Sequence, residues 1–497
     1  MDEMIYDPEV ECMPLTQLAE LCQSRFRESR VMERAASSAL YREKWAAAGV
    51  VPEEVRTYAD LAQVPYTQGR DLRDTQMRHD PQEWVCSNSV RLWASTSGTT
   101  GKPKWIPIGE GDLAAFTEGA ARLLGLVMGV REGFSFLFIT AASPFSSEQA
   151  AYHFLVTQIT ADRHTEFTFV TLPETMDALT FARLAHTQAM FSFPSMALVV
   201  AEGVSEQAGP GARALFRKEP NLRNLLGALG ASVMKIKAKH IFKFKWGIFS
   251  GEPVGPYRSA IIDHYGLEPC LAYGATEFST PLVGECKAQD GMHIYLDFCL
   301  PEIITREELR KEESDAAYVP RAIPLWEASA GQIGELVLTS FSDALPLVRY
   351  RISDLAQVVS TEPCKCGRTH PRINVLHRSD DIVNLGLIRF SIYELKRKLE
   401  EEKAEHGQVA KWQLRLTREN YKPKAVLLVE PIGEVDERAF AQEVKDKLGD
   451  IGGIRQSWQS NLIAEPEIQV VQELREVRTA TGKVQLAIYE DVYFEEA

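Results

Sequence analysis

The sequence predicts an α/β protein in two parts: a large N-terminal domain over residues 1–377, with β-sheets flanked by helices, and a small α+β C-terminal domain over residues 378–497. Three observations carry this. From about residue 90 onward, short apolar segments alternate with helical stretches, the pattern of strands covered by helices. After "HRSDD" at 377–381 the composition shifts toward charged, amphipathic segments. The 497 residues, 45% hydrophobic and 25% charged, have an ordinary globular composition and enough length for two or more domains.

Taken in order, residues 14–48 place Leu15, Leu18, Leu21 and Cys22 at helical spacing and read as one or two helices. "SFLFIT" (135–140), "FTFVTL" (167–172), "WGIFS" (246–250), "CLAYG" (270–274) and "ELVLTS" (335–340) read as strands. "DLAAFTEGAARLLGLVMG" and "GPYRSAIIDHYG" read as the helices between them. In the C-terminal part, "SIYELKRKLEEEKAEHG" predicts a charged helix, "QLRLTR" and "KAVLLVE" strands, "DERAFAQEVKDKLGD" a second helix, and "IQVVQEL" a further strand. There is no internal repeat and no low-complexity segment.

The 55 basic and 69 acidic side chains give a formal charge of −14, which offers no general attraction to nucleic acid or anionic lipid. Any anion must be held by local groups. No apolar run reaches the ~18–20 residues of a membrane span, and "MDEMIYDPEVECMP" lacks the pattern of a signal peptide, so a cytoplasmic protein is expected. The 8 cysteines do not describe a secreted disulfide scaffold; in a reducing compartment they are thiols or metal ligands.

"STSGTTGKPKWIPIG" (95–109) follows an apolar segment and is dense in Gly, Ser and Thr, the make-up of a loop whose N–H groups and hydroxyls align on phosphate oxygens. A flexible surface loop has a similar composition. The P-loop pattern fails twice: Thr96 stands where its first glycine belongs, and Pro103 follows Lys102 where a magnesium-binding hydroxyl belongs.

"TSGTTGKPK" resembles the phosphate-loop signature of the adenylate-forming superfamily of acyl-CoA synthetases, adenylation domains and luciferases. Further matches follow in the family's order: "SGEP" (250–253), "YGATE" (273–277), "RYRISD" (349–354), "HRSDD" (377–381) and "TATGK" (479–483). Within the superfamily, "GECKAQDGMHI", "LPLVRYRISDLAQV" and "PCKCGRTHPRINVLHRSDDI" are similar to phenylacetate-CoA ligases, as is the early "SSALYREKWAAAGVVPEEVRTYADLAQVPYT". The resemblance covers most of the chain and implies ATP and Mg2+ as cofactors, with a mobile C-terminal lid.

It also implies roles. Ser97, Gly98, Thr99, Thr100, Gly101 and Lys102 would hold the β- and γ-phosphates, and Ser250, Gly251, Glu252 and Pro253 would line the adenine. In "YGATE", Tyr273 and Gly274 belong to the nucleotide site, Thr276 contacts phosphate, and Glu277 binds magnesium, a hard cation suited to a carboxylate. Asp354 would accept two ribose hydroxyls, as ionised carboxylates do well; Arg378 would touch ribose or phosphate, Asp380 would be the hinge, and Lys483 would bridge the acyl carboxylate and the α-phosphate. Taken alone, Glu277 also fits a surface turn, Asp354 a helix cap, "HRSDD" a charged linker, and Lys483 a solvated lysine.

The C-x-C pair Cys364 and Cys366 cannot close a tetrahedral zinc site alone. Cys286 and His293 are candidate partners, the fold resemblance bringing the two loops together, and His370 is an alternative fourth ligand. Four protein ligands would make such a zinc structural; free loop thiols are the other reading.

The expected reaction is ATP-dependent activation of a small aromatic carboxylic acid as an acyl adenylate, with pyrophosphate leaving, followed by transfer to coenzyme A. "NLGLIRFS" (384–391) departs from the "RG-x-N-x-FP" run typical of phenylacetate-CoA ligases, which keeps an amine acceptor, as in amino acid conjugating synthetases, as the alternative. "AASPFSSEQAAYHFLVTQ" also departs; Phe145, Tyr152, His153 and Phe154 there fit an aryl pocket or the core. A non-catalytic nucleotide-binding module has no use for Lys483. A homodimer is left open.

Overall fold

The computed structural model of the chain describes residues 5–95, 104–128, 135–140, 166–171, 187–218, 236–251, 254–278, 281–315, 317–378, 382–386, 388–400, 402, 404–475 and 486–490. Among these, 13 strands form one mixed sheet. One half is parallel and runs Pro269–Gly274, Trp246–Phe249, Ala189–Ser192, Ser135–Thr140, Glu166–Thr171. The "SFLFIT" run is apolar without alternation because strands of a parallel sheet are covered on both faces. Leu137 and Ile139 meet the helices Pro194–Lys218 and Gly255–Tyr265, through Phe193, Ala197, Tyr257 and Ile261. Phe138 points the other way, into a core shared with Phe191, Ile248 and Ala120 of helix Glu110–Met128.

The other half is largely antiparallel: Pro281–Glu285, Met292–Ile294, Arg372–Arg378, Tyr350–Ser360, Ile333–Ser340, Cys299–Thr305 and Ala322–Pro324, with the short Thr67–Gln68 parallel to the start of Tyr350–Ser360. Helix Leu15–Glu28 buries Leu18, Cys22 and Phe26, spaced four apart on one face, in the core of this half. Strand Pro269–Gly274 belongs to both halves, parallel to Trp246–Phe249 on one side and antiparallel to Pro281–Glu285 on the other. The sheet therefore changes sense at the strand that leads into "YGATE". Beside it, the separate hairpin of Val90–Ser95 and Trp105–Gly109 flanks residues 96–103.

The C-terminal segment builds its own sheet, ordered Glu467–Val470, Lys422–Pro431, Val409–Glu419, Ala487–Tyr489. Helices Ile392–Glu400 and Glu437–Gly449 close a core of Leu395, Leu399, Trp412, Leu414, Phe440 and Val444. A small hairpin, Ile382–Leu385 with Ile388–Ser391, precedes it. Its turn holds Gly386 at φ 66°, a left-handed conformation that favours glycine. This segment touches the main body through Lys422 Nζ, 2.9 Å from Glu202, and through Arg418 over the Tyr257 ring at 4.5 Å.

Two expectations change in detail. Residues 14–48 form three helices, Leu15–Glu28, Val31–Ala36 and Arg42–Ala47, the first two separated by Arg30 at φ 48°. The charged helix expected through "EKAEHG" ends at Glu400: beyond it, Glu443 accepts the backbone N–H groups of Glu405 and His406, which a continuing helix would have used internally. Among the described residues no helix is long and apolar enough to cross a membrane.

Candidate active site

Three neighbouring parallel strands deliver their carboxyl ends to one place. Ala189–Ser192 leads to Phe193, Trp246–Phe249 to Ser250 and Gly251, and Pro269–Gly274 to Thr276 and Glu277. In open α/β sheets the crevice outside strand carboxyl ends is where ligands bind. Gly251 has φ 83°, and a Cβ there would stand 2.5 Å from the Phe193 ring, so backbone conformation and close packing both require glycine. After Gly274 a short 3-10 turn, Thr276–Phe278, buries Phe278 against Tyr350 and sets Thr276 and Glu277 beside the strand ends.

Strand Tyr350–Ser360 brings in "RYRISD" from the antiparallel half. Its two arginines are structural anchors. Arg349 is buried against Glu302, with Nη2 2.9 Å from Oε1, and donates to the carbonyls of Ala62 and Val64. Burial pushes the Glu302 carboxyl above its ordinary value, and Arg349 opposes that shift. Arg351 pairs with Glu312 and Glu335 at 2.6 and 2.5 Å. Between these anchors and the rest of the strand, Ser353 adopts φ 62° and the register shifts after Asp354. Such irregularities re-aim side chains. Asp354 Oδ2 accepts a hydrogen bond of 2.6 Å from the Tyr273 hydroxyl, which joins "YGATE" to "RYRISD", and its backbone stands opposite Arg378.

Glu277 has two close partners. Lys104 Nζ lies 2.5 Å from its Oε1, and the Tyr350 hydroxyl donates to the same oxygen at 3.2 Å. The structure thus gathers Tyr273, Glu277 and Asp354, with Ser250, Gly251, Gly274 and Thr276 on the adjoining loops. Glu252, Pro253, Asp380, Lys483 and residues 97–102 lie outside the described residues, as do Phe145, Tyr152, His153 and Phe154. Arg378 is described in its backbone only.

A second cluster stands at the opposite end of the sheet. Strand Pro281–Glu285 runs antiparallel to Pro269–Gly274, so Cys286 at its end is roughly 17 Å along the strand from the level of Gly274. Cys286 and His293 flank the turn of this hairpin; Cys364 and Cys366 lie in the connection from Tyr350–Ser360 to Arg372–Arg378, and His293 pairs with Arg372. The four ligand atoms all lie within 4.8 Å of one another. Cys286 Sγ is 3.7 Å from Cys364 Sγ, and Cys366 Sγ is 3.4 Å from His293 Nε2. A tetrahedral zinc with Zn–S of about 2.3 Å and Zn–N of about 2.0 Å requires edges of about 3.8 and 3.5 Å, so this donor set fits the ion. A hydrogen bond from Cys286, with His293 beside it, holds the Cys366 thiol well below its usual range. His370 is not in the cluster: its Nδ1 accepts the backbone N–H of Leu296 at 3.2 Å, and burial keeps the ring neutral, its value pushed down to about 3.

No protein-family model matches the chain. It is 28% identical over 396 residues to a phenylacetate-coenzyme A ligase of Thermus thermophilus, covering 76% of this chain and 74% of that protein. Its fold is similar to that of a 2-hydroxyisobutyryl-CoA ligase solved with 2-HIB-AMP and CoA in the thioesterification state, at a TM-score of 0.68 and 22% identity over 97% of this chain and 92% of that one. The sequence similarity runs to phenylacetate-coenzyme A ligases and the shared fold is that of a CoA ligase, in line with the resemblance that the motifs carry. An acyl acid amido synthetase solved with 2,4-DB shares the fold at a TM-score of 0.53 and 16% identity, over 94% of this chain and 90% of that one.

The motifs did not single out Lys104 and Tyr350 as partners of Glu277. Both sit inside quoted motifs, at the end of "TSGTTGKPK" and four residues before Asp354, and that position was the available signal. The anchors Glu302 and Glu335 carry no local signal; only their strand neighbours in the folded sheet identify them.

Proposed function

We propose that this chain uses ATP to activate a small, aromatic carboxylic acid and then transfers the acyl group to coenzyme A, as an AMP-forming acid-CoA ligase. The observation that carries this is the meeting of Tyr273, Glu277 and Asp354 at the carboxyl ends of the parallel strands, where the sheet changes sense. Further support comes from the phenylacetate-coenzyme A ligase similarity over most of the chain and from the shared fold of a CoA ligase.

A carboxylate oxygen of the acid attacks the α-phosphorus of ATP, the bond to pyrophosphate breaks, and the acyl adenylate forms. The thiol of coenzyme A, losing its proton, then attacks the acyl carbon and AMP leaves. Asp354 orients ATP through the ribose hydroxyls, exchanging its Tyr273 partner for them. Ser250 and Gly251 border the adenine. Residues 97–102 take the β- and γ-phosphates, and Lys483 stabilises charge between carboxylate and α-phosphate. Glu277 would hold magnesium, which would supply charge neutralisation at the triphosphate. No protein nucleophile is required; positioning and electrostatics supply the acceleration.

Residues 1–377 form the ATP- and acid-binding domain in this reading, and 378–497 a lid that pivots at Asp380 between the two half-reactions. Cys286, His293, Cys364 and Cys366 would hold a structural zinc, away from the chemistry.

The test is acid-dependent pyrophosphate release across aryl and aliphatic acids, with coenzyme A or amino acids then added. Release with arylacetic or benzoic acids, followed by thioester formation, is expected. No release with any acid refutes the enzyme reading. Acceleration by amines and not by coenzyme A moves the acceptor to the amide-forming class, whose fold the chain shares.

A further inference from the structure

Lys104 closes the "TSGTTGKPK" run, and its ammonium is already engaged. Nζ lies 2.5 Å from Glu277 Oε1 and 2.9 Å from the Tyr350 hydroxyl, and that hydroxyl is 3.2 Å from the same carboxylate oxygen. Both charged side chains are only 12% exposed. Gly69, at the start of helix Gly69–Arg78, makes room: a Cβ there would stand 3.2 Å from Lys104 Nζ and 3.3 Å from the Tyr350 hydroxyl. A largely buried carboxylate without a cation is costly, and here the cation comes from the chain.

Glu277 is also the residue to which the proposed function assigns magnesium, and this inference rests on that reading. Mg2+ binds carboxylate oxygen at about 2.0–2.1 Å. An ammonium held on the same oxygen would then face it as a like charge at close range, in a pocket with little water to screen the two. The two cations therefore compete for one oxygen.

We infer that Lys104 is the chain's own stand-in for the divalent cation. Before nucleotide binds, it neutralises Glu277 and weakens free-metal binding there. When metal and nucleotide arrive together, the ion takes the carboxylate and the Lys104 ammonium passes to the phosphate oxygens, which the residues just before it in sequence also serve. Tyr350 stays as a donor to Glu277 and fixes the carboxylate through the exchange. Loading is thus coupled: metal alone meets a charged competitor, and metal with triphosphate brings the anion that competitor needs.

The test is nucleotide-free Mn2+ binding to the full chain, read from the electron paramagnetic resonance signal of free Mn2+, for the unmodified protein and for Lys104→Met, Lys104→Arg and Glu277→Gln. Lys104→Met should tighten Glu277-dependent Mn2+ binding about tenfold, equivalent to about 1.4 kcal/mol. Lys104→Arg, which keeps the charge, should leave it near that of the unmodified protein. With Mn2+ present, Lys104→Met should bind ATP about tenfold more weakly. Binding that depends on Glu277 but is indifferent to Lys104→Met overturns the exchange and leaves the proposed function standing. Mn2+ binding unaffected by Glu277→Gln in either background removes Glu277 as the metal residue, and the inference with it. Thermal melting covers a destabilised variant: Mn2+ should raise the melting temperature of Lys104→Met more than that of the unmodified protein, and equal rises overturn the inference.

Discussion

Asp354 and Tyr273 come from different halves of the sheet and share a hydrogen bond of 2.6 Å. In the proposed reaction that bond is a resting arrangement, since the carboxylate has two oxygens and the ribose offers two hydroxyls. A hydrogen bond to a charged group contributes about 1.5–3 kcal/mol, so Asp354→Ala should raise KM for ATP by about 10- to 100-fold and leave KM for the acid within about threefold. Tyr273→Phe removes only the resting partner and should change KM for ATP by less than about fivefold. Acid-dependent pyrophosphate release at varied ATP measures both. A larger effect of Tyr273→Phe than of Asp354→Ala would assign the ribose contact to the wrong residue.

At the scale of elements, the cysteine cluster and the first helix form one assembly. Arg368, two residues past Cys366, is buried against Glu11 of helix Pro8–Glu11, at 2.5 Å, with neither side chain exposed. The backbone N–H of Thr369 donates to the Glu11 carbonyl at 3.0 Å. From the helix Glu110–Met128, Arg122 pairs with Asp297 at 2.8 Å and reaches Asp7 at 3.9 Å. Removing one partner of a buried pair costs about 3–5 kcal/mol, because the other charge is left uncompensated. Glu11→Gln should therefore lower the melting temperature clearly. Chelation of the proposed zinc should lower it too, since binding energy at such a site is folding energy. The two effects should fall short of additive, because both release the same segment. Strict additivity, or a melting temperature insensitive to chelator, would separate the cluster from the helix or remove the metal.

At the scale of the molecule, the C-terminal segment has its own core, and its named contacts with the main body are Lys422 with Glu202, Asn461 with Glu202 at 3.2 Å, and Arg418 over Tyr257. Tyr421 and Leu462 also pack against the core of the parallel half, so the rotation proposed at Asp380 must break a small, partly buried contact of these residues. Lys483 rides on that segment, so its role should be confined to one orientation. Lys483→Ala should reduce adenylation at least about 100-fold while thioester formation from a supplied acyl adenylate stays within about fivefold. Equal loss of both half-reactions would place Lys483 in the shared site and remove the case for a pivot.

The amino-acid order alone determined the elements and the chemistry-bearing motifs. "SFLFIT", "WGIFS" and "CLAYG" are strands because an unbroken apolar run needs cover on both faces, and "YGATE" and "RYRISD" are recognisable as local strings. The C-x-C spacing pointed to metal chemistry and left the fourth ligand open between His293 and His370. Folding chose His293, because His370 is committed to the Leu296 backbone. Only the tertiary structure paired Lys104 with Glu277, 173 positions away, and Arg368 with Glu11, 357 positions away. The physical reason is range. Periodicity and turn chemistry act over a few residues and survive as patterns in the chain, whereas a buried charge finds its partner through whichever strands the sheet sets side by side.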